Sequence, residues 1–143
     1  MYMTKPKIYF AGSITGGRGD SDLYFQIIEL LKSYGTILTE HIGSKTLTSG
    51  GENKTSEFIF NRDINWVDEA DIVVAEVSTP SLGVGYEIGR AENKKPILCL
   101  FRDQPDKRLS AMIAGNSNLK IGKYKNIEDI TVILKDFFAT AIK

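Results

Sequence analysis

Residues 71–77 read Asp-Ile-Val-Val-Ala-Glu-Val, and residues 78–89 continue Ser-Thr-Pro-Ser-Leu-Gly-Val-Gly-Tyr-Glu-Ile-Gly. The first run is apolar on consecutive residues and rich in β-branched side chains, the pattern of a strand buried on both faces. Thr79-Pro80-Ser81 then turns the chain into a helix predicted near Gly85 to Asn93. The same strand–turn–helix rhythm extends outward from this stretch. Upstream, Lys7 to Ala11 is a first strand, Gly12 to Gly19 a Gly-rich loop, and Leu23, Ile27, Leu30, Leu31 and Tyr34 recur at helical spacing. Gly35 stops that helix, Thr36 to Thr39 is a second strand, Glu40 to Lys54 a loop, and Thr55 to Ala70 a helix. Downstream, Pro96 to Phe101 is a fourth strand, Ser110 to Ala114 a short helical piece, and Leu119 to Tyr124 a weak fifth strand. Ile127, Ile130, Ile133, Leu134, Phe137 and Phe138 mark a closing helix. Strands alternating with helices require crossover connections, hence a parallel sheet covered on both faces. Ligands of such sheets bind outside the carboxyl ends of the strands, where the strand order reverses. That rule selects the loops after Ala11, Thr39 and Val77, with Glu40 to Lys54 as the candidate mobile element.

The chain has 143 residues, the size of one domain spanning 1–143. Its 42% hydrophobic and 25% charged content is that of a globular protein. Lys plus Arg and Asp plus Glu are 18 each, which gives no long-range pull toward nucleic acid or an anionic membrane. One cysteine, Cys99 in an apolar run, excludes an internal disulfide framework and fits a reducing compartment. There is no span-length apolar run and no secretory signal, so a cytoplasmic protein is expected, with the nucleus also open.

Several residues carry chemistry by their place. Gly12-Ser13-Ile14-Thr15-Gly16-Gly17-Arg18-Gly19 follows a strand and precedes a helix, where glycines let backbone N–H groups approach an anion. Arg18 and the hydroxyls of Ser13 and Thr15 add donors. The plain alternative is a flexible turn. The segment is neither G-x-G-x-x-G nor a P-loop, and Gly83 to Gly89 has the wrong glycine spacing for a dinucleotide fingerprint. Glu87 is expected in the first turn of its helix, where the dipole would favour an ionised carboxylate suited to nucleophilic attack. A Glu chosen only for the dipole is the alternative. Asp63 shares a helical face with Ile59, Trp66, Val67 and Ala70, so it points to the edge of the core. Partial burial would raise its pKa toward that of a general acid, unless it is a structural Asp paired with Arg62 or Lys54. Tyr9 reads as a core strand residue, and His41, the only histidine, projects toward the ligand end of the sheet. No cluster at metal-ligand spacing and no local Ser-His-Asp set occurs, so neither a metal nor a cofactor is expected.

Ile8 to Ile14, Ile37 to His41 and Asp71 to Gly89, with Asp63 before Trp66 and Leu109 to Ile113 downstream, together resemble the nucleoside 2-deoxyribosyltransferase superfamily. The likeness is greatest to its branch that hydrolyses deoxynucleoside 5′-monophosphates. It implies a three-layer, flavodoxin-like fold with a five-stranded parallel sheet, assembled as a homodimer with shared active sites. It implies Glu87 as nucleophile, Asp63 as proton donor to the leaving base, and Tyr9 as the tyrosine that holds the glutamate. Gly12 to Arg18 would wrap the sugar and phosphate, with Thr15 standing where the family has arginine. Ser81 would bind the 5′-phosphate beside Gly83, Ser110 and Met112 would come from the neighbouring subunit, and His41 would lie beside the base. Two carboxylates flanking a glycosidic bond form the retaining-glycosidase arrangement. The rival readings are a true deoxyribosyltransferase, which passes the sugar to a second base, and a non-catalytic nucleotide-binding module.

Overall fold

The structure, a computed structural model, describes residues 5–14, 20–43 and 51–141. Five strands form one parallel sheet: β1 (Lys7–Ala11), β2 (Thr36–Ile37), β3 (Ile72–Glu76), β4 (Ile97–Arg102) and β5 (Lys120–Tyr124). Their order is β2-β1-β3-β4-β5, with Tyr9 opposite Val73 and Ala11 opposite Ala75. The chain therefore moves one way from β1 and the other way from β3, and their carboxyl ends flank the reversal in strand order. This is the expected flavodoxin-like α/β architecture.

Alternation along β1 decides which side chains meet which helices. Ile8 and Phe10 enter a core with α1 (Ser21–Leu31) and α5 (Ile127–Ala141), built from Tyr24, Ile27, Leu31, Ile130, Leu134 and Phe138. Tyr9 and Ala11 face the other layer, with Val67 of α2 (Ser56–Glu69) and Val84 and Ile88 of α3 (Leu82–Ala91). The short helix α4 (Ala111–Ala114) leads into β5. Cys99 is buried in the α2–α3 layer, and burial pushes its thiol up to about 12, so it stays protonated and unreactive.

Two boundaries depart from expectation. β2 ends at Ile37, because Thr39 substitutes its side chain for the strand pairing: its hydroxyl accepts from the Phe10 N–H at 3.0 Å and donates to the Phe10 carbonyl at 2.7 Å. A 3₁₀ turn over Glu40–Gly43 follows where a plain loop was expected, and residues 44–50 of the candidate mobile element lie outside the described residues. α3 begins at Leu82, three residues before the predicted start, because Ser81 caps it by accepting from the Val84 N–H at 3.2 Å. A capped start overrides the poor helix propensity of Gly83 and Gly85.

Candidate active site

The earlier start of α3 changes the position of Glu87. It is the sixth residue of the helix, one turn beyond the reach of the dipole, so the expected first-turn stabilisation does not apply. Glu87 is instead largely buried, and desolvation raises its pKa to about 7. The Tyr9 hydroxyl donates a hydrogen bond to Glu87 Oε2 and holds the pKa below what burial alone would give. Asp63 pushes it the other way through its charge. Tyr9 is 2% exposed, and its phenol pKa is raised by burial and by Glu87, so it remains a donor throughout the physiological range.

Asp63 lies at the rim of the inward face of α2, with its side chain 20% exposed. Its pKa is raised, chiefly by burial, and Arg62 opposes that shift by donating from Nε to Asp63 Oδ1 at 2.9 Å. Arg62 is itself held. Its two terminal nitrogens donate to Glu52 at 2.6 Å each, and Nη2 lies 3.4 Å from His41 Nε2. The guanidinium stands 5.0 Å from the Trp66 ring and 5.6 Å from that of Phe58, a stack made by the i±4 spacing of 58, 62 and 66 on α2. His41 packs against Trp66 with ring centroids 5.7 Å apart, and burial lowers its pKa.

Asp63 and Glu87 line one cavity of about 400 Å³ with Ile59, Phe60, Leu82, Gly83 and Tyr86. Ser81, Ser110 and Met112 line a second, of about 360 Å³, at the start of α3. Leu82 borders both and is 97% exposed. The Ser81 oxygen is committed as an acceptor to the cap, leaving its O–H free to donate, and the Ser110 hydroxyl caps nothing. One protomer thus brings Ser110 and Met112 beside its own Ser81, and Met112 is 83% exposed.

Of the loop after β1, Gly12 packs on the Tyr24 ring, where an added Cβ would stand 2.9 Å from Cε2. That close approach accounts for this glycine within the core. Ser13 is fully buried, and its N–H donates to the Tyr24 hydroxyl at 3.1 Å; Ile14 packs against the α1–α5 core. Thr15, Gly16, Gly17 and Arg18 lie outside the described residues. Sequence reasoning missed Glu52 and saw Arg62 only as an alternative partner for Asp63. The aromatic–Arg–aromatic stripe at 58, 62 and 66 was the available signal for Arg62. Among the described residues, no group of three or more His, Cys, Asp or Glu side chains could hold a metal, and no helix is long and apolar enough to cross a membrane.

Comparison with known proteins identifies the family. A Nematostella vectensis protein provisionally named 2′-deoxynucleoside 5′-phosphate N-hydrolase 1 is 54% identical over 94% of this chain and 95% of its own. The 5-hydroxymethyl-dUMP N-hydrolase of Tetraodon nigroviridis is 48% identical, over 93% of this chain and 97% of its own. The fold is shared with the solved Clostridium botulinum CMP N-glycosidase BcmB, at a TM-score of 0.61, 16% identity and coverage of 90% of this chain and 98% of that one. The sequence profile of nucleoside 2-deoxyribosyltransferase matches residues 8–126, and on that match and these relatives the chain belongs to the nucleoside 2-deoxyribosyltransferase family.

Proposed function

We propose that this chain is a single-domain enzyme that hydrolyses the N-glycosidic bond of 2′-deoxynucleoside 5′-monophosphates. The observation that carries the proposal is one cavity lined by two carboxylates of different surroundings, Glu87 pinned by Tyr9 and Asp63 at the rim. The names of the relatives, which are N-hydrolases of deoxynucleoside monophosphates, support the substrate class.

Glu87, ionised, attacks C1′ while protonated Asp63 gives its proton to the departing base. This forms a glutamyl ester of 2-deoxyribose 5-phosphate. Asp63, now a carboxylate, takes a proton from water, which attacks C1′ and releases the sugar phosphate and Glu87. Each carboxylate thus recovers its starting proton count, and no cofactor takes part. In this reading the Ser81 O–H and the start of α3 receive the 5′-phosphate, next to Gly83. The role of Thr15 to Arg18 on sugar and phosphate, and of His41 beside the base, is part of the same reading.

Ser110 and Met112 stand beside the same chain's Ser81, and we further propose a homodimer in which this face meets a second copy, so that they also reach the partner's site. Leu82 and Met112, with Tyr86 at 59% exposed, form an apolar face at the mouths of both cavities, and such a face on an isolated chain invites burial. The enzyme works in the cytoplasm, where deoxynucleotides are turned over and Cys99 stays reduced.

Incubation with a panel of deoxynucleoside monophosphates, nucleosides and ribonucleotides, with and without a second base, followed by chromatography, tests the activity. Free base with 2-deoxyribose 5-phosphate is expected from the deoxy monophosphates. A new nucleotide made from the added base would identify a transferase, and binding without any base release a non-catalytic module.

A further inference from the structure

Arg62 sits one residue before the proposed proton donor and donates directly to it, an arrangement that by itself works against proton transfer. A guanidinium beside a carboxyl favours the ionised form, whereas a general acid must hold its proton until the base departs. The structure supplies the counterweight. Glu52 takes both terminal nitrogens of Arg62 at 2.6 Å, with its side chain only 13% exposed, and its own pKa is lowered by that contact.

We propose that Glu52 is a positioning residue for the proton donor. By gripping the far edge of the guanidinium it cancels the charge of Arg62 and leaves Nε alone to orient Asp63 through Oδ1. Among the described residues no hydrogen bond occupies Asp63 Oδ2, so that oxygen is the one free to carry the proton toward the leaving base. The inference rests on the reading of Asp63 as general acid. The stack of Arg62 on Trp66 and Phe58 restricts its motion, so the Glu52 grip sets a fixed orientation.

Among the described residues, charged or titratable groups face Asp63 from four places. Arg62 comes from its own helix, Glu52 and His41 from the segment before it, Glu87 from α3 and Tyr9 from β1. His41 is held neutral by burial at neutral pH, and Tyr9 stays protonated. Loss of the Glu52 charge therefore leaves the charge of Arg62 less opposed at Asp63 and favours its ionised form.

The test is the pH profile of kcat/KM for a deoxynucleoside monophosphate in the wild type, Glu52→Gln and the Glu52→Gln/Arg62→Gln double variant. Glutamine retains an oxygen for the Arg62 contact while removing the charge. In Glu52→Gln the limb set by Asp63 should move down by about one pH unit, since loss of one charge at this range and burial has that size. The double variant should return the limb to the wild-type position or above it. A limb that stays within about 0.2 of a unit in Glu52→Gln, or a double variant that is no higher than the single, overturns the proposal. Carbon-13 NMR titration of the Asp63 carboxyl, assigned with Asp63→Asn, measures the same shift without turnover. If the wild type cleaves no monophosphate, the proposed function fails while this titration still decides the role of Glu52.

Discussion

Glu87 occupies a position in which the same burial serves its proposed role and works against the fold. Its pKa of about 7 in the folded chain exceeds the ordinary carboxylate value near 4.5 that it has when unfolded. A carboxyl with a raised folded pKa contributes stability that is complete below pH 4.5 and is lost as pH rises through about 7. Glu87→Gln should therefore stabilise the protein at pH 8 by about 3 kcal/mol relative to pH 4, read by urea denaturation at the two pH values. Equal effects at both would show that Glu87 is not buried as a charge. The same variant should abolish turnover. Residual activity above about one hundredth of wild type would not suit a covalent nucleophile. Tyr9→Phe removes the hydrogen bond that lowers the Glu87 pKa, so the limb of kcat/KM set by Glu87 should move up from about 7 and kcat should fall. A limb that moves down would separate Tyr9 from Glu87. At this scale the sequence placed Asp63 correctly at the edge of the core, because a helical face is a matter of period. It mistook the origin of the Glu87 environment, because that depends on where a helix starts.

α3 shows what local pattern reveals about an element and what it conceals. Its existence was legible from Val84, Ile88 and Ala91, all buried at helical spacing. Its start was not, because Gly83 and Gly85 argue against helix and only the Ser81 cap and packing on β3 outweigh them. β2 was likewise too long by pattern, since nothing local distinguishes a Thr39 in the ladder from one whose hydroxyl replaces it. Two substitutions probe this helix. An alanine Cβ at Gly89 would meet nothing within 4 Å, so Gly89→Ala should raise stability by about 0.5–1 kcal/mol in denaturant unfolding. A decrease would mean that another surface covers that face. Ser81→Ala should cost about 1 kcal/mol through the lost cap and weaken monophosphate binding about ten- to hundredfold by calorimetry. Binding of the unphosphorylated nucleoside should change little; an equal loss would assign Ser81 to the helix alone.

The whole molecule was the most legible scale, because alternating strands and helices leave few topologies and the carboxyl-end rule places the site. The observed order β2-β1-β3-β4-β5 puts Tyr9 on β1 under Glu87 on α3, beside the reversal in strand order. The grip of Glu52 on Arg62 escaped sequence reasoning because it joins a loop to a helix through side chains alone. The exposed Leu82 and Met112 make assembly testable at this scale. Leu82→Asp with Met112→Asp should give a monomer in sedimentation and lose activity, whereas a stable, fully active monomer would end the shared-site proposal. In the proposed reaction Glu87 displaces the base and is then itself displaced at C1′. Cleavage of a deoxynucleoside monophosphate in water containing methanol, followed by proton NMR of the methyl 2-deoxyriboside 5-phosphate, reads that claim from the product. Two displacements return the β-anomer of the starting nucleotide, and Glu87→Gln should form none. An α-anomer would mean that the acceptor attacks C1′ directly, and would contradict the role given to Glu87.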